Sequence, residues 1–271
     1  MQTIDVWAQI LTERMANAPW MESLLRWTRQ SAASMTGIGV QEMIAAMDEA
    51  GVDITLLSAW YGPQGAMISN EEVSAQIDTA PARLRGLAGA DIRKPGEAAR
   101  EIRRWVDGKR FVGVRIVPWL WGLPPNDRRY YPIYAACEEL GVPLCTQIGH
   151  TGPLLSSETG RPVPYLEDVL LEFPGLTVVG GHLGFPWVDE VTTLTVKFPN
   201  FYVDTSAYAA HRFPRDFVDF MKTAGRGRVM FGTNWPMLAP QFCLKGLDAL
   251  ELGETQREDF LQGTACKVFG L

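Results

Sequence analysis

The segment Leu176-Thr-Val-Val-Gly-Gly181 is a short apolar run rich in β-branched residues, and a segment with helical periodicity follows it. Runs of this kind are typical of parallel strands that are buried on both faces. Seven further runs of the same character occur along the chain, each again followed by a helical segment. The eight predicted strands are approximately Thr3–Ala8, Val52–Ser58, Arg85–Ala90, Phe111–Val117, Val142–Ile148, Leu176–Gly181, Phe201–Thr205 and Val229–Thr233.

This alternation of strands and helices predicts the α/β class, because eight strand–helix units joined by short turns close into a (β/α)8 TIM-type barrel. The length of 271 residues suits one barrel, which typically needs about 250 residues. We therefore predict a single domain over residues 1–271. The segment from Glu254 to Phe269 is predicted to be a C-terminal closing helix that packs on the outside of the barrel.

Charge and composition narrow the classes of partner. A net charge of −6 argues against nucleic acid, whose binding proteins usually concentrate Lys and Arg on one face. The chain starts without the basic stretch and apolar core of a signal peptide, and no segment reaches the ~18 apolar residues of a membrane span. We expect a cytoplasmic protein that binds a small molecule and neither nucleic acid nor a membrane.

Several common kinds of site have no support in the sequence. Cys137, Cys145, Cys243 and Cys266 stand far apart without a CxxC pair, so neither a zinc knuckle nor a redox motif is present. Gly-rich phosphate-binding patterns are also absent. We expect four free thiols and no nucleotide chemistry.

Loops that follow strands collect at the C-terminal mouth of a barrel, where catalytic and binding residues are found. Two long segments rich in Gly and Pro, 118–129 and 149–164, follow the fourth and fifth predicted strands. Aromatic residues are concentrated at predicted mouth positions, which favours an aromatic or planar ligand, although some of them must serve packing. These aromatic residues are Trp7, Trp60, Tyr61, Trp119, Trp121, Trp187, Tyr208 and Trp235.

Four motifs resemble one branch of the amidohydrolase superfamily, the amidohydrolase-related branch that includes aminocarboxymuconate-semialdehyde decarboxylase. They are YYPIYAACEELGVP (130–143), GGHLGFPW (180–187), YVDTSAY (202–208) and FGTNWP (231–236). The resemblance extends over nearly the whole chain and implies the barrel fold. It also implies homodimers as the assembly to expect, but it leaves the reaction open.

The resemblance also identifies the positions at which metal-using members hold their ion: an HxH pair after strand one, a His after strands five and six, and an Asp after strand eight. Here these positions carry Trp7, Gln9, Gln147, His182 and Asn234. An indole N–H has no free lone pair, and neutral amides are weak ligands for a divalent metal. We therefore predict no catalytic metal and no other cofactor. His150, three residues past Gln147, is the imidazole that could otherwise swing inward.

Four residues are predicted to be catalytic. His182 is the candidate general acid or base, because imidazole titrates near neutral pH. Gln147 and Asn234 can orient a carbonyl or carboxylate by hydrogen bonds, although the amides could instead satisfy one another around an inert His182. Arg115 lies in an apolar strand, where a guanidinium needs an anion. That anion is either a substrate carboxylate or a carboxylate of the barrel, namely Asp5, Asp91 or Asp204.

The predicted substrate contacts come from the same loops. His211 follows the seventh predicted strand, where it is either a proton carrier or a surface residue. The full set is Trp7, Gln9, Trp60, Trp119, Trp121, His150, Tyr208, His211 and Trp235.

Three functions compete. Our main prediction is a metal-independent hydrolase, or a carbon–carbon-cleaving enzyme, acting on an aromatic or cyclic carbonyl or carboxylate compound. The first alternative is a decarboxylase of an aromatic or unsaturated acid, like the family member named above, although that chemistry in the family uses a metal. The second alternative is an inactive barrel that binds a small molecule.

Overall fold

We describe a computed structural model of the chain, which covers residues 2–28, 35 and 37–271. Eight parallel strands form one sheet in the order β1-β2-β5-β6-β7-β8-β9-β10, and a separate antiparallel hairpin pairs β3 with β4. Their bounds are Ile4–Ala8 (β1), Ile54–Ser58 (β2), Trp60–Gly62 (β3), Gly65–Ile68 (β4), Leu84–Ala88 (β5), Phe111–Ile116 (β6), Leu144–Gln147 (β7), Val178–Gly181 (β8), Phe201–Asp204 (β9) and Val229–Met230 (β10).

The two edges of the large sheet meet and close it. The Val6 backbone N–H donates to the Phe231 carbonyl at 3.1 Å, and a parallel bridge joins Ala8 to Trp235. Every predicted strand has a counterpart in this barrel, so the predicted α/β class and (β/α)8 architecture are confirmed. The β3–β4 hairpin was not predicted; it occupies the segment directly after β2.

Helices follow the barrel strands, as the periodicity predicted. Local sequence fixes their ends: the Ser69 side chain accepts from the Glu72 N–H at 3.2 Å, and the Glu72 carboxylate accepts from the Ser69 N–H at 2.8 Å, which caps one helix start. The helices are Glu13–Ala16, Met21–Thr28, Val40–Ala50, Asn70–Thr79, Pro95–Trp105, Pro118–Trp121, Tyr131–Leu140, Tyr165–Glu172, Val188–Lys197, Arg215–Lys222, Pro240–Leu244, Glu254–Glu258 and Thr264–Phe269. Short 3₁₀ turns cover Glu158–Gly160, Ala210–Arg212 and Leu247–Leu250, and a π-helical turn covers Asp259–Gly263.

The predicted closing helix is present, but its position corrects the expectation that it packs on the outer surface. Its residues Ala265 and Phe269 are buried in the cluster that fills the barrel, together with strand residues such as Leu56 and Val179. The Gln2 N–H, just before β1, donates to the Gln262 side chain at 2.8 Å. The C-terminal segment therefore covers the N-terminal opening of the barrel and leaves the other end for a site.

Two further observations concern the cysteines and the lengths of the helices. Cys137, Cys145, Cys243 and Cys266 are all free thiols. Within the described ranges, no helix has the length and apolar character needed to cross a bilayer.

Candidate active site

A cavity of about 720 Å³ opens at the carboxyl ends of the barrel strands. Its wall is mostly aromatic and aliphatic, with a small set of polar side chains among them. The aromatic members are Trp27, Trp60, Trp119, Phe185, Tyr208 and Phe242, and the polar ones are Gln9, Gln147, His150, His182, Arg212 and Asn234. Such a cavity is within the range of about 300–1,000 Å³ that holds most small ligands.

Eight of the predicted site residues line this cavity. They come from the ends of different strands, which the closure of the barrel brings together. The eight are Gln9, Trp60, Trp119, Gln147, His150, His182, Tyr208 and Asn234. Their roles toward a ligand stay predictions.

The other predicted site residues do not line the cavity, and their assignment to it is corrected. Arg115 and Trp7 lie beneath its floor, with exposures of only 2% and 1%. His211 is on the surface, where its Nδ1 lies 3.2 Å from the Lys245 carbonyl oxygen. Four aromatic residues predicted at the mouth also fall outside the lining: Tyr61, Trp121, Trp187 and Trp235.

His182 is the polar residue at the floor with the most defined geometry. Its Nδ1 lies 2.6 Å from the Ser206 hydroxyl oxygen, and that hydroxyl donates to the Asp204 carboxylate. Because the Ser206 hydroxyl has a single proton, Nδ1 must be the donor toward Ser206. The Asp204–Ser206–His182 chain therefore leaves the Nε2 lone pair for a ligand.

The charge state of this chain follows from its burial. Burial lowers the pKa of His182 to about 3, with a smaller contribution from the Arg115 guanidinium. Burial also raises the pKa of Asp204 to about 6, although hydrogen bonds from Ser206 oppose the rise. At neutral pH the imidazole is thus neutral, and the carboxyl group is mostly ionised.

Arg115 belongs to a buried polar layer under the site. Its guanidinium carbon lies 3.5 Å from the Trp7 ring centroid, and the Trp7 ring lies 4.8 Å from the His182 ring. Among the described residues, Arg115 makes no direct ion pair; its Nη2 donates to the Val6 carbonyl at 3.4 Å. Of the predicted partners, Asp204 and Asp5 attract it at longer range, whereas Asp91 pairs with Arg93.

The three amides of the site are largely engaged with one another and with their surroundings. Gln9 Nε2 donates to the Asn234 side-chain oxygen at 3.1 Å. Gln147 Oε1 accepts from the Trp119 indole N–H at 2.8 Å, and Gln147 Nε2 donates to the His150 carbonyl at 3.3 Å. Of their oxygens, Gln9 Oε1 is buried and has no hydrogen-bond partner among the described residues.

Backbone strain is concentrated at the same place. Five non-glycine residues in the described ranges have positive φ, and four of them line the cavity. They are His182 (φ 74°), Leu183 (58°), Ala207 (66°) and Asn234 (71°). Each such conformation costs on the order of 1–3 kcal/mol and is typical of functional sites.

The donor set does not fit a divalent metal ion. Within the described parts of the chain, no three His, Cys, Asp or Glu side chains are grouped so that they could hold one. His182 Nε2 offers one imidazole lone pair, while the oxygens of Gln147 and Asn234 already accept hydrogen bonds. Neutral amides around a single imidazole lack the charge that holds such an ion.

A β/α barrel with a cavity at its carboxyl mouth and a histidine at the end of its sixth barrel strand defines a protein of the amidohydrolase type. The model of the amidohydrolase family matches residues 4–271. The chain therefore belongs to that family, whose members are enzymes, and the resemblance seen in the sequence is confirmed.

Relatives within the family are decarboxylases by name. The chain is 25% identical to a gamma-resorcylate decarboxylase from Rhodococcus jostii over 75% of both chains. It is 22% identical to another gamma-resorcylate decarboxylase from Polaromonas sp. over 86% of this chain and 84% of that protein.

Solved structures share the fold. An uncharacterised TIM-barrel protein from Bordetella bronchiseptica superposes with a TM-score of 0.85 at 24% identity, covering 100% of this chain and 99% of that one. A dihydroxybenzoic acid decarboxylase from Polaromonas sp., solved with manganese and the inhibitor 2-nitroresorcinol, superposes with a TM-score of 0.75 at 20% identity, covering 100% and 97%.

These relatives overturn two predictions. The main prediction of a hydrolase is wrong, because the named relatives are decarboxylases. The prediction of a metal-independent site without a cofactor is also contradicted, because manganese is bound in the Polaromonas structure and in a 5-carboxyvanillate decarboxylase from Novosphingobium aromaticivorans. The described donors of this chain do not fit that ion.

Sequence reasoning missed several wall residues. Arg212 is adjacent to the predicted His211 in the 3₁₀ turn Ala210–Arg212. The two side chains point in different directions from this turn, and Arg212, not His211, lines the cavity. Phe185 lies within the GGHLGFPW motif, which could have indicated it. Trp27 is on a helix before the second barrel strand, and no motif pointed to it.

Proposed function

We propose that this protein is a decarboxylase of an aromatic carboxylic acid, a lyase that releases carbon dioxide from a hydroxybenzoate-like substrate. The observation that carries the proposal is the composition of the cavity wall. Among the residues that the structure describes, aromatic rings, two histidines and one arginine line it, and no Asp or Glu does. A wall with this composition accepts a flat ring with a negative charge and does not repel the carboxylate.

Decarboxylation of such a substrate requires protonation of the ring carbon that bears the carboxylate. The ring carbon that bears the carboxylate gains a proton from solvent, the bond from that carbon to the carboxylate breaks, and its electron pair stays with the ring as carbon dioxide leaves. A hydroxyl group beside that carbon assists, because electron release from its oxygen makes the ring carbon more basic.

His182 is suited to this electron release. Its Nε2 keeps a lone pair at the cavity floor because Nδ1 is held as a donor by Ser206. A phenolic hydroxyl of the substrate would donate a hydrogen bond to Nε2, and this bond increases the negative charge on the oxygen, which releases electrons into the ring. The low pKa of His182, about 3, keeps the imidazole neutral, so the lone pair is available throughout the neutral pH range.

Other wall residues complete the binding. Burial raises the pKa of Tyr208 to about 12, so its phenol remains a hydrogen-bond donor. His150 supplies a second imidazole in the wall of the same cavity. Trp60 and Trp119, whose ring centroids are 6.1 Å apart, present apolar surface for the substrate ring.

The test is carbon dioxide release from 2,6-dihydroxybenzoate, 5-carboxyvanillate and related acids, each with and without added Mn²⁺. We expect turnover of at least one hydroxybenzoate and a decrease of kcat by about 100-fold or more in His182→Gln, because a positioned acid–base group contributes at least that much. His211→Gln is the matched control, since this histidine lies on the surface, and it should change kcat less than about twofold.

Two results would contradict the proposal. If the protein hydrolyses an ester or an amide from a substrate panel and releases no carbon dioxide from any acid, it is a hydrolase and not a decarboxylase. Binding of aromatic acids without turnover under either metal condition would favour the inactive binding barrel, a reading that the mutual hydrogen bonds of Gln9 and Asn234 support.

A further inference from the structure

Among the described residues that line the cavity, Arg212 is the one with a charged side chain. Most other arginines of the described chain are in ion pairs, for example Arg14 with Glu72 and Arg103 with Glu139. Within the described residues, the Arg212 guanidinium has no carboxylate partner and no side-chain hydrogen bond. The described wall of the cavity, which contains no Asp or Glu, thus holds a guanidinium whose five donors are available to a ligand.

The backbone that carries Arg212 is held firmly. The neighbouring His211 N–H donates to the Lys245 carbonyl at 3.1 Å, and the Arg212 N–H donates to the Ala209 carbonyl at 2.8 Å. The next residue, Phe213, packs edge to face against Phe217 and Phe260. The side chain therefore extends from a fixed point, which lowers the entropy lost when it binds an anion.

Arg212 and His182 lie at different depths. His182 is at the floor with 9% exposure, whereas Arg212 is solvent-exposed and lines the same cavity. A guanidinium bound to the reacting carboxylate would stabilise the charge that disappears as carbon dioxide forms, and so would oppose the reaction. An acidic group elsewhere on the ring keeps its charge throughout, and binding it lowers KM without that penalty.

We infer that Arg212 binds a second acidic group of the substrate, so that the preferred substrate is an aromatic acid with two anionic groups, one at the floor beside His182 and one at the rim. This inference rests on the proposed function for the identity of the first group. The cavity of about 720 Å³ leaves space for a substituted ring between the two positions. Guanidinium groups match carboxylates with two parallel hydrogen bonds, so a second carboxylate is the group that fits best.

Calorimetric binding of two unreactive probes tests the inference without turnover. Isophthalate carries two carboxylates on one ring, and benzoate carries one. We expect the wild-type protein to bind isophthalate about tenfold more tightly than benzoate, as a charge-assisted pair at a partly exposed position allows. Arg212→Gln should abolish that preference, and Arg212→Lys should keep part of it, since Lys offers charge without the planar fork.

Arg215→Gln is the matched control, because Arg215 is exposed three residues away and does not line the cavity. It should keep the full preference for isophthalate. A preference that persists in Arg212→Gln, or a wild-type protein that shows none, overturns the inference.

The role of Arg212 in binding and the proposed decarboxylase function can be tested independently of each other. A protein that prefers isophthalate through Arg212 and yet releases no carbon dioxide from any acid would retain this binding site and lose the decarboxylase assignment. If carbon dioxide is released, Arg212→Gln should raise KM for 5-carboxyvanillate about tenfold with kcat within about twofold, and change KM for 2,6-dihydroxybenzoate much less.

Discussion

At the scale of single residues, the site depends on a hydrogen-bond chain that fixes one tautomer. Asp204 accepts from Ser206, and Ser206 accepts from His182 Nδ1 at 2.6 Å. All three side chains are buried, where an unpaired donor costs on the order of 1–3 kcal/mol. The burial that lowers the pKa of His182 thus also makes the Ser206 contact important for stability.

Ser206→Ala tests this chain. Without the hydroxyl, Nδ1 has no acceptor, so the imidazole can hold its proton on Nε2 and lose the lone pair at the cavity. We expect kcat on the best acid to decrease by about 10- to 100-fold, comparable to the loss of other orienting partners of a histidine. Nitrogen NMR of His182 should show the proton moving from Nδ1 towards Nε2.

The control for this variant is Ser58→Ala. Ser58 is also buried and also ends a barrel strand, but its hydroxyl donates to the Ala59 carbonyl at 2.9 Å. It should leave kcat and the tautomer unchanged. An unaltered tautomer in Ser206→Ala would refute the assignment of Nδ1 as donor.

At the scale of elements, the end of β8 determines how the floor is built. β8 ends in Gly180 and Gly181, and His182 follows with a φ of 74°. A Cβ on Gly181 would lie 2.4 Å from Cζ3 of Trp7, which is far inside van der Waals contact. The glycine therefore allows the Trp7 ring to lie against the strand and below His182.

Gly181→Ala should displace the Trp7 ring and destabilise the protein by about 1–3 kcal/mol, the usual cost of overpacking a core. The measurement is the free energy of unfolding in urea together with the near-ultraviolet circular dichroism of the tryptophans.

Gly96→Ala is the matched control for this substitution. It lies in the helix Pro95–Trp105, where the nearest atom to an added Cβ is 3.8 Å away, so it should be neutral or slightly stabilising. Equal effects of the two substitutions would show that the contact with Trp7 does not limit this position.

At the scale of the whole molecule, the closure of the barrel places a carboxyl group in its interior. Asp5 in β1 accepts from the Thr233 N–H at 2.9 Å and from the Thr233 hydroxyl at 2.6 Å, so it joins the first and last barrel strands. Burial raises its pKa to about 7 from an ordinary value of 3.8. Folding therefore favours the protonated form of this carboxyl group.

The sign of the pH dependence follows. Below pH 3.8 the carboxyl group is protonated in both the folded and the unfolded chain, and its contribution to stability is fully present. As the pH rises to about 7, only the unfolded chain gains by ionisation, so the free energy of unfolding falls. Asp204, with its pKa raised to about 6, acts in the same direction.

Asp5→Asn should make this fall shallower, by up to about 1.4 kcal/mol per pH unit, which is the linkage of one proton. The amide keeps an oxygen for the Thr233 N–H. Urea unfolding at several values between pH 5 and pH 7 gives the slope, and the exposed Asp78→Asn serves as the control. An identical slope in wild type and Asp5→Asn would contradict the raised pKa.

Two predictions at this scale stay open to measurement. The single domain over residues 1–271 predicts one cooperative unfolding transition, and the expected homodimer predicts twice the monomer mass in solution. The cytoplasmic location likewise stays a prediction.

The sequence by itself determined the barrel and many of its strand ends. Eight apolar runs separated by helical segments have one economical closure, since parallel strands need crossovers and buried faces. The GGHLGFPW motif also determined the family and the position of His182, because this histidine directly follows the predicted strand Leu176–Gly181.

Only the tertiary structure decided which side chains share the cavity. Arg115, which the sequence predicted for the site, stacks on Trp7 at 3.5 Å under the floor, whereas Arg212, which was not predicted, reaches the cavity. The direction of a long side chain depends on the pleat of its strand or the turn of its loop, and on the ring that packs against it. Those contacts join residues far apart in the chain, so local sequence patterns do not specify them.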